Sequence, residues 1–138
     1  MSLTARRRRA WLVRRLRQLW AAPTTLLGLV GAAVLLLLGG RARRQGRTLE
    51  VSLHERRPSH PSRRWPFVAM ALGHVILGRS RDDLVHLRTH ERVHVRQCEA
   101  LGPFFVPAYL LAGAWAWVCG RSAYRDNPFE RAAFRVGP

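Results

Sequence analysis

The sequence contains no lysine: all 24 of its Lys+Arg residues are arginine. Acidic residues are also scarce, with 8 in 138 residues, and the cysteines are two, Cys98 and Cys119. Two cysteines are too few for a disulfide scaffold or a cysteine-rich zinc finger. The apolar fraction of 48% excludes a fully disordered chain. The length allows one ordinary domain, or a small domain with a membrane anchor.

The excess of positive charge lies mainly in the first half of the chain. Residues 1–65 carry 15 arginines and two acids, whereas residues 66–138 carry nine arginines and six acids. A chain this basic usually has an anionic partner, either nucleic acid or a phospholipid surface. The arginines flank an apolar run and no nucleic-acid-binding motif is present, so membrane lipid is the expected partner and nucleic-acid binding is disfavoured.

That apolar run covers residues 22–40, which contain no charged side chain. About 20 such residues are needed for a helix to cross the hydrocarbon core of a bilayer, so the run predicts a transmembrane anchor. One alternative is a buried core helix, but a chain of this length has little other core to surround a helix that is apolar on all sides. The other is a cleaved signal peptide, but no convincing small-residue cleavage site follows Leu38. Both flanks are basic, so the orientation across the membrane stays open.

The segment before the anchor, residues 1–21, is basic and amphipathic. Leu12, Leu16 and Leu19 recur at helical spacing among arginines. This pattern predicts a helix lying on anionic headgroups.

Strand signals follow the anchor. Residues 41–65 form a basic connector in which Leu49, Val51 and Leu53 alternate with polar residues, a pattern typical of a half-buried strand. Residues 65–78 are almost wholly apolar and predict one or two short buried strands. Residues 66–138 are predicted to form the folded domain.

A helix over residues 82–101 is predicted to begin with Ser80 and Asp83 as a capping box. Within it lies His90-Glu91-Arg92-Val93-His94, an H-E-x-x-H pattern. Residues four apart share one helix face, so His90 and His94 can bind one Zn²⁺ and leave positions open. Glu91 then lies beside the metal, where it can act as general base towards a zinc-bound water.

A third zinc ligand is available downstream, in Asn127-Pro128-Phe129-Glu130. Asn127 can cap a short helix that begins at Pro128, which places Glu130 in the first turn. Glu130 can complete a His₂Glu site, or it can be an ordinary first-turn acid favoured by the helix dipole. Asn127 is a candidate for supporting the ligands, and Gln97 and Glu99 on the longer helix are either surface residues or supporting residues.

The two motifs, at 90–97 and 127–132, resemble those of zincin metallopeptidases with a glutamate ligand (gluzincins), especially small bacterial membrane-associated members. The resemblance covers about 50 of 138 residues. It implies His90, His94 and Glu130 as zinc ligands, Glu91 as general base, and a short strand above the site that pairs with a peptide or protein substrate. It also implies an α+β fold, with an anchor helix followed by a small, mainly helical zincin-like domain, in the bacterial cytoplasmic membrane.

Two features depart from that pattern. Residues 104–119 are uncharged, and a membrane crossing there would put Glu130 on the opposite side from His90. We therefore expect a helix that packs in the domain, or inserts partly, and returns the chain to the same side. The second departure is that no group for stabilising an oxyanion is evident, and Tyr124 is only a candidate.

The alternative function is a non-enzymatic membrane protein with a structural or vestigial metal site. The oligomeric state stays open.

Overall fold

The computed structural model describes residues 3–56 and 67–138. Its helices are α1 (Leu3–Trp20), α2 (Ala22–Leu37), α3 (Arg81–Leu101), α4 (Phe105–Val118) and α5 (Pro128–Phe134), with a 3₁₀ turn at Gly102–Phe104. Its strands are β1 (Arg41–Gln45), β2 (Thr48–His54), β3 (Ala69–Leu72) and β4 (Val75–Ser80). The fold is therefore α+β, as predicted.

The four described strands form one mixed sheet in the order β1-β2-β4-β3. β2 pairs with β4 in parallel, and the two outer pairs are antiparallel. The strands predicted around Leu49 and within residues 65–78 are confirmed as β2 and as β3 with β4. Residues 57–65 of the predicted connector, together with Trp65 and Pro66 at the start of the second strand prediction, lie outside the described residues.

Residues 41–45, which lie in the predicted connector, form strand β1. Its sequence, Arg-Ala-Arg-Arg-Gln, is exposed along its whole length. It is a strand because its backbone pairs with β2, from Arg41 opposite Ser52 to Gln45 opposite Thr48. The pairing makes the arginine-rich segment an edge of the same sheet that supports the rest of the domain.

The sheet lies between α2 and α3, because alternate residues of β4 point to opposite faces. On one face Val75 and Leu77 pack with Ala32 and Leu35 of α2. On the other face Ile76 packs with residues of α3. The core thus consists of two thin apolar layers, one on each side of a single sheet.

Helix α2 presents two different faces. The buried face is built from Thr24, Gly28, Ala32 and Leu35. The opposite face carries large exposed residues, among them Leu26, Leu27, Val30, Val34 and Leu37. At 16 residues it is about 24 Å long, shorter than the ~30 Å hydrocarbon core. The membrane anchor over residues 22–40 stays a prediction, with one face of the helix covered by the domain.

Among the described residues, the continuous helical run Arg81–Val118 is long and apolar enough to cross a bilayer by length and composition. Arg6–Trp20 and Ala22–Leu37 pass the same test only when taken together across a 60° bend. Large apolar side chains of α4 are also exposed, including Leu111, Trp115 and Trp117. Helix α4 therefore packs in the domain by one side only.

Gly28 allows the close contact between α2 and the turn that joins β3 to β4. A Cβ atom there would lie 2.6 Å from the Leu72 carbonyl oxygen and 2.7 Å from Val75 Cβ. We expect Gly28→Ala to lower the free energy of unfolding by about 1–3 kcal/mol, as overpacked cores do. In an uncrowded helix the same change would raise stability by about 1 kcal/mol.

Chemical denaturation of the full chain in a mild detergent measures this change. The control is Val34→Ala on the exposed face of α2, for which a change within about 0.5 kcal/mol is expected. A Gly28→Ala variant as stable as the wild type would contradict the close packing of α2 on the sheet.

Candidate metal centre

The H-E-x-x-H segment lies in the middle of α3, in its buried part. The Ser80 hydroxyl accepts a hydrogen bond from the Asp83 backbone N–H at 3.1 Å and donates to Asp83 Oδ2 at 2.7 Å, so the predicted capping box is confirmed. His90, Glu91 and His94 are 2%, 4% and 5% exposed. Their helix is held against the sheet, which fixes the position of all three side chains.

Glu130 reaches the same place from the C-terminal end of the chain. Asn127 caps α5 by accepting a hydrogen bond from the Phe129 N–H at 3.1 Å, as predicted, and its side-chain amide donates to the Tyr109 carbonyl at 3.0 Å. Gly113 lets the returning segment approach α4, since a Cβ there would lie 3.0 Å from the Ala123 carbonyl oxygen. The segment that follows α4 therefore runs back along α4 and brings the chain next to α3, as expected.

Three ligand-type atoms converge in this buried site. His90 Nε2 lies 3.3 Å from His94 Nε2 and 3.0 Å from Glu130 Oε2, and His94 Nε2 lies 3.4 Å from Glu130 Oε1. A tetrahedral metal with bonds of 2.0–2.1 Å separates its ligand atoms by about 3.3 Å. The separations, which involve both oxygens of Glu130, are close to this value, so the three residues can supply three of the four ligands of a tetrahedral metal.

The ring of His94 is oriented by Gln97. His94 Nδ1 lies 2.8 Å from Gln97 Oε1, and the Gln97 amide donates to the Phe129 carbonyl at 3.1 Å. The amide oxygen can only accept, so Nδ1 carries a proton and Nε2 is the nitrogen that can bind a metal. The same glutamine joins α3 to α5, and sequence reasoning had placed it among the candidate supporting residues.

The carboxylate of Glu130 is held in its charged form. Burial raises its pKa, but hydrogen bonds with His90, His94 and Tyr109 outweigh this and lower the pKa to about 2. Burial would lower the pKa of His94, but hydrogen bonds with Glu130 and Gln97 raise it overall. A metal must displace the proton that these contacts favour, so metal affinity should fall as the solution becomes more acidic.

Glu91 differs from Glu130 in its environment. Burial raises the pKa of Glu91, against the influence of His94 and His90, and the Ala71 backbone N–H donates a hydrogen bond to its carboxylate. Among the described residues its Oε2 has no hydrogen-bond partner. One carboxylate oxygen is therefore fixed by β3 while the other is available to take a proton.

These side chains open into a cavity of about 520 Å³. Its wall is mostly apolar and is formed by residues 67–72 on and before β3, by the inner side of α4, and by Leu87 and Phe134. Tyr124 lines the same cavity, with its ring 5.8 Å from that of Phe134. The structure thus brings the predicted ligands, Glu91 and Tyr124 to the cavity wall. Of the candidate supporting residues, Asn127 caps α5 and Gln97 holds His94, both behind the wall. Glu99 lies away from the site, where it pairs with Arg47 and His74.

Tyr109 is a site residue that the sequence reasoning missed. Its hydroxyl donates to Glu130 Oε1 at 2.6 Å. It sits in the uncharged run of residues 104–119, where its polar hydroxyl was the available signal. Comparisons of the chain with protein-family models, curated proteins and solved structures give no match, so the functional argument rests on the geometry of the site.

Tyr109→Phe should weaken metal binding, because it removes the hydrogen bond that orients Glu130. Loss of such a supporting contact typically costs about 10–100-fold in metal affinity. Competition for Zn²⁺ between the protein and a chromogenic chelator measures the effect. Trp115→Phe, on the exposed side of α4, is the matched control and should leave the affinity unchanged. Equal affinities for Tyr109→Phe and wild type would show that Glu130 does not need this hydrogen bond.

Proposed function

We propose that this protein is a membrane-attached zinc hydrolase, of the peptidase type. The observation that carries the proposal is the arrangement of His90, His94 and Glu130, whose ligand atoms are 3.0–3.4 Å apart. Two imidazoles with one carboxylate form a donor set typical of catalytic zinc, and their spacing leaves a coordination position open. The gluzincin resemblance of the two motifs supports the choice of metal and of reaction.

The residues of the site would have different roles in peptide hydrolysis. When bound, zinc supplies a Lewis acid that polarises the substrate carbonyl and makes water more acidic. Glu91 accepts a proton from the attacking water at its unpartnered Oε2 and returns it to the leaving amine nitrogen. Its raised pKa suits a group that must both take up and release a proton.

The free edge of β3 supports a peptide as substrate. β3 is the last strand of the described sheet, paired with β4 alone, and residues 67–72 line the cavity. An extended peptide can add to such an edge through backbone hydrogen bonds. Because Ala71 also holds Glu91, a peptide bound there would lie beside the general base.

The proposal is tested by zinc content and by peptide hydrolysis. Purified full chain should contain about one equivalent of zinc, and His90→Ala or His94→Ala should lose it because two protein ligands hold zinc poorly. Glu91→Gln should retain zinc and lose hydrolysis of a mixed peptide library, by about 10²-fold or more. His86→Ala, on the exposed surface of α3, is the control.

Two results would count against this function. Intact protein without stoichiometric zinc would remove the metal centre. A Glu91→Gln variant that hydrolyses peptides as fast as the wild type would remove Glu91 as the base. Full zinc occupancy with no hydrolysis by the wild type would favour the alternative, a structural metal site.

Membrane attachment is assigned to the exposed apolar face of α2. Replacing Leu26, Val30 and Leu37 with glutamine should release the chain from membranes washed with alkaline carbonate, because each residue is more than half exposed and stabilises a membrane-bound state by apolar burial. Fractionation followed by immunodetection measures this. The control carries glutamine at the exposed Val85 and Val136 and should stay bound. Retention of the α2 variant would place the attachment elsewhere.

A further inference from the structure

A second cavity lies away from the candidate metal centre, between α1, the β1–β2 turn and α3. This arginine groove has a volume of about 510 Å³ and shares no lining residue with the cavity at Glu91. Five arginines line it, together with one acid and two apolar residues: Arg6, Arg9, Ala10, Val13, Arg14, Arg17, Arg47 and Glu99. The residues from α1 recur every three or four positions, so they form one face of the helix.

The positive charge of the groove is largely uncompensated. Its one acid, Glu99, is engaged at 2.9 Å by Arg47 and at 2.9 Å by His74. Within residues 3–56 and 67–138, no carboxylate pairs with the four arginines that α1 contributes. Several guanidinium groups facing one concavity repel each other, and a phosphate group that accepts their forked hydrogen bonds would relieve that repulsion.

The surroundings of the groove indicate where the phosphate comes from. Beside the arginine-lined face of α1, Leu12, Leu16 and Leu19 are 52%, 64% and 69% exposed. Helix α1 meets α2 at a 60° bend, and α2 continues with an exposed leucine-rich face. A helix with an apolar stripe beside a row of arginines fits the boundary between acyl chains and headgroups.

We propose that the arginine groove binds the phosphate of an anionic phospholipid headgroup, with the acyl chains along the leucine stripe of α1. This site is separate from the zinc chemistry and depends only on the membrane attachment assigned above. The basic composition alone indicates only a general attraction to lipid. The proposal gives the arginines of the groove a specific role, which is to bind a phosphate group. The chemistry recognised is a phosphodiester monoanion on an amphipathic molecule.

The test is calorimetric titration of the full chain in a neutral detergent. The probes are dioctanoyl phosphatidylglycerol, dioctanoyl phosphatidylcholine and inorganic phosphate. The phosphatidylglycerol should bind saturably, and the phosphatidylcholine about tenfold or more weakly, because its cationic choline opposes the groove. Inorganic phosphate should also bind weakly, since it makes no contact with the leucine stripe. Equal affinity for inorganic phosphate would overturn the lipid assignment.

A matched pair of variants separates the groove from general charge. The groove variant is R9Q/R14Q/R17Q, and the control is R7Q/R8Q/R15Q, which removes three arginines from the same helix but none from the groove. We expect the groove variant to lose phosphatidylglycerol affinity by about tenfold or more, and the control by less than threefold, since charge-assisted hydrogen bonds exceed screened surface attraction.

Arg47→Gln provides a second variant outside α1, so a local effect on that helix cannot mimic the result. It too should weaken phosphatidylglycerol binding. Equal losses of phosphatidylglycerol affinity in the groove and control variants would overturn the proposal. Unchanged phosphatidylglycerol affinity in both Arg47→Gln and the groove variant would also overturn it. Zinc content, measured in parallel, should be the same in all three variants, so failure of the metal centre would be seen separately.

Discussion

A carboxylate buried between two imidazoles requires a positive charge beside it, and the C-terminal half of this chain is arranged around that requirement. Glu130 is 4% exposed, and burial of an uncompensated carboxylate would cost several kcal/mol. Its neighbours therefore have to be cationic, metal-bound or hydrogen-bond donors. The two histidines and Tyr109 meet this condition. The site is therefore stable when all of these side chains are present, and removing any one of them destabilises it.

Contacts far from the metal centre hold this set in place. Arg88, two residues before the H-E-x-x-H segment, donates to both carboxylate oxygens of Glu50 on β2, at 2.8 and 2.9 Å. This paired contact fixes the rotation of α3 on the sheet. At the other end, Gln97 and Asn127 fix α5 relative to α3 and α4. His90, His94 and Glu130 are thus carried by a framework that limits their movement, as the proposed metal site would need.

Local signals in the sequence were sufficient where the structure depends on neighbouring residues. The capping box at Ser80, the alternation around Val51 and the Asn-Pro start of α5 each describe contacts a few residues apart, and the structure has all three. The convergence of Glu130 with His90 was implied by the family resemblance of the two motifs, together with the expectation that the chain returns to the same side.

The remaining features depend on contacts between distant parts of the chain. Nothing local in Arg41–Gln45 indicates a strand, since it exists through pairing with β2. The hydroxyl of Tyr109 distinguishes it from its apolar neighbours but does not identify its partner, because Glu130 is 21 positions away. The packing of α2 on the sheet was likewise missed, because a uniformly apolar run does not show which of its faces is covered.

The two edges of the sheet are unlike, and this limits how copies of the protein can associate. Strand β1 presents exposed arginines, so two such edges repel and resist pairing. Strand β3, with the sequence Ala-Met-Ala-Leu, has no charge to prevent pairing. Any dimer built by strand addition would therefore use the edge that lines the cavity at Glu91. For the membrane-attached hydrolase proposed above, crowding on a membrane would then block access to that cavity, so the density of the protein would itself limit hydrolysis.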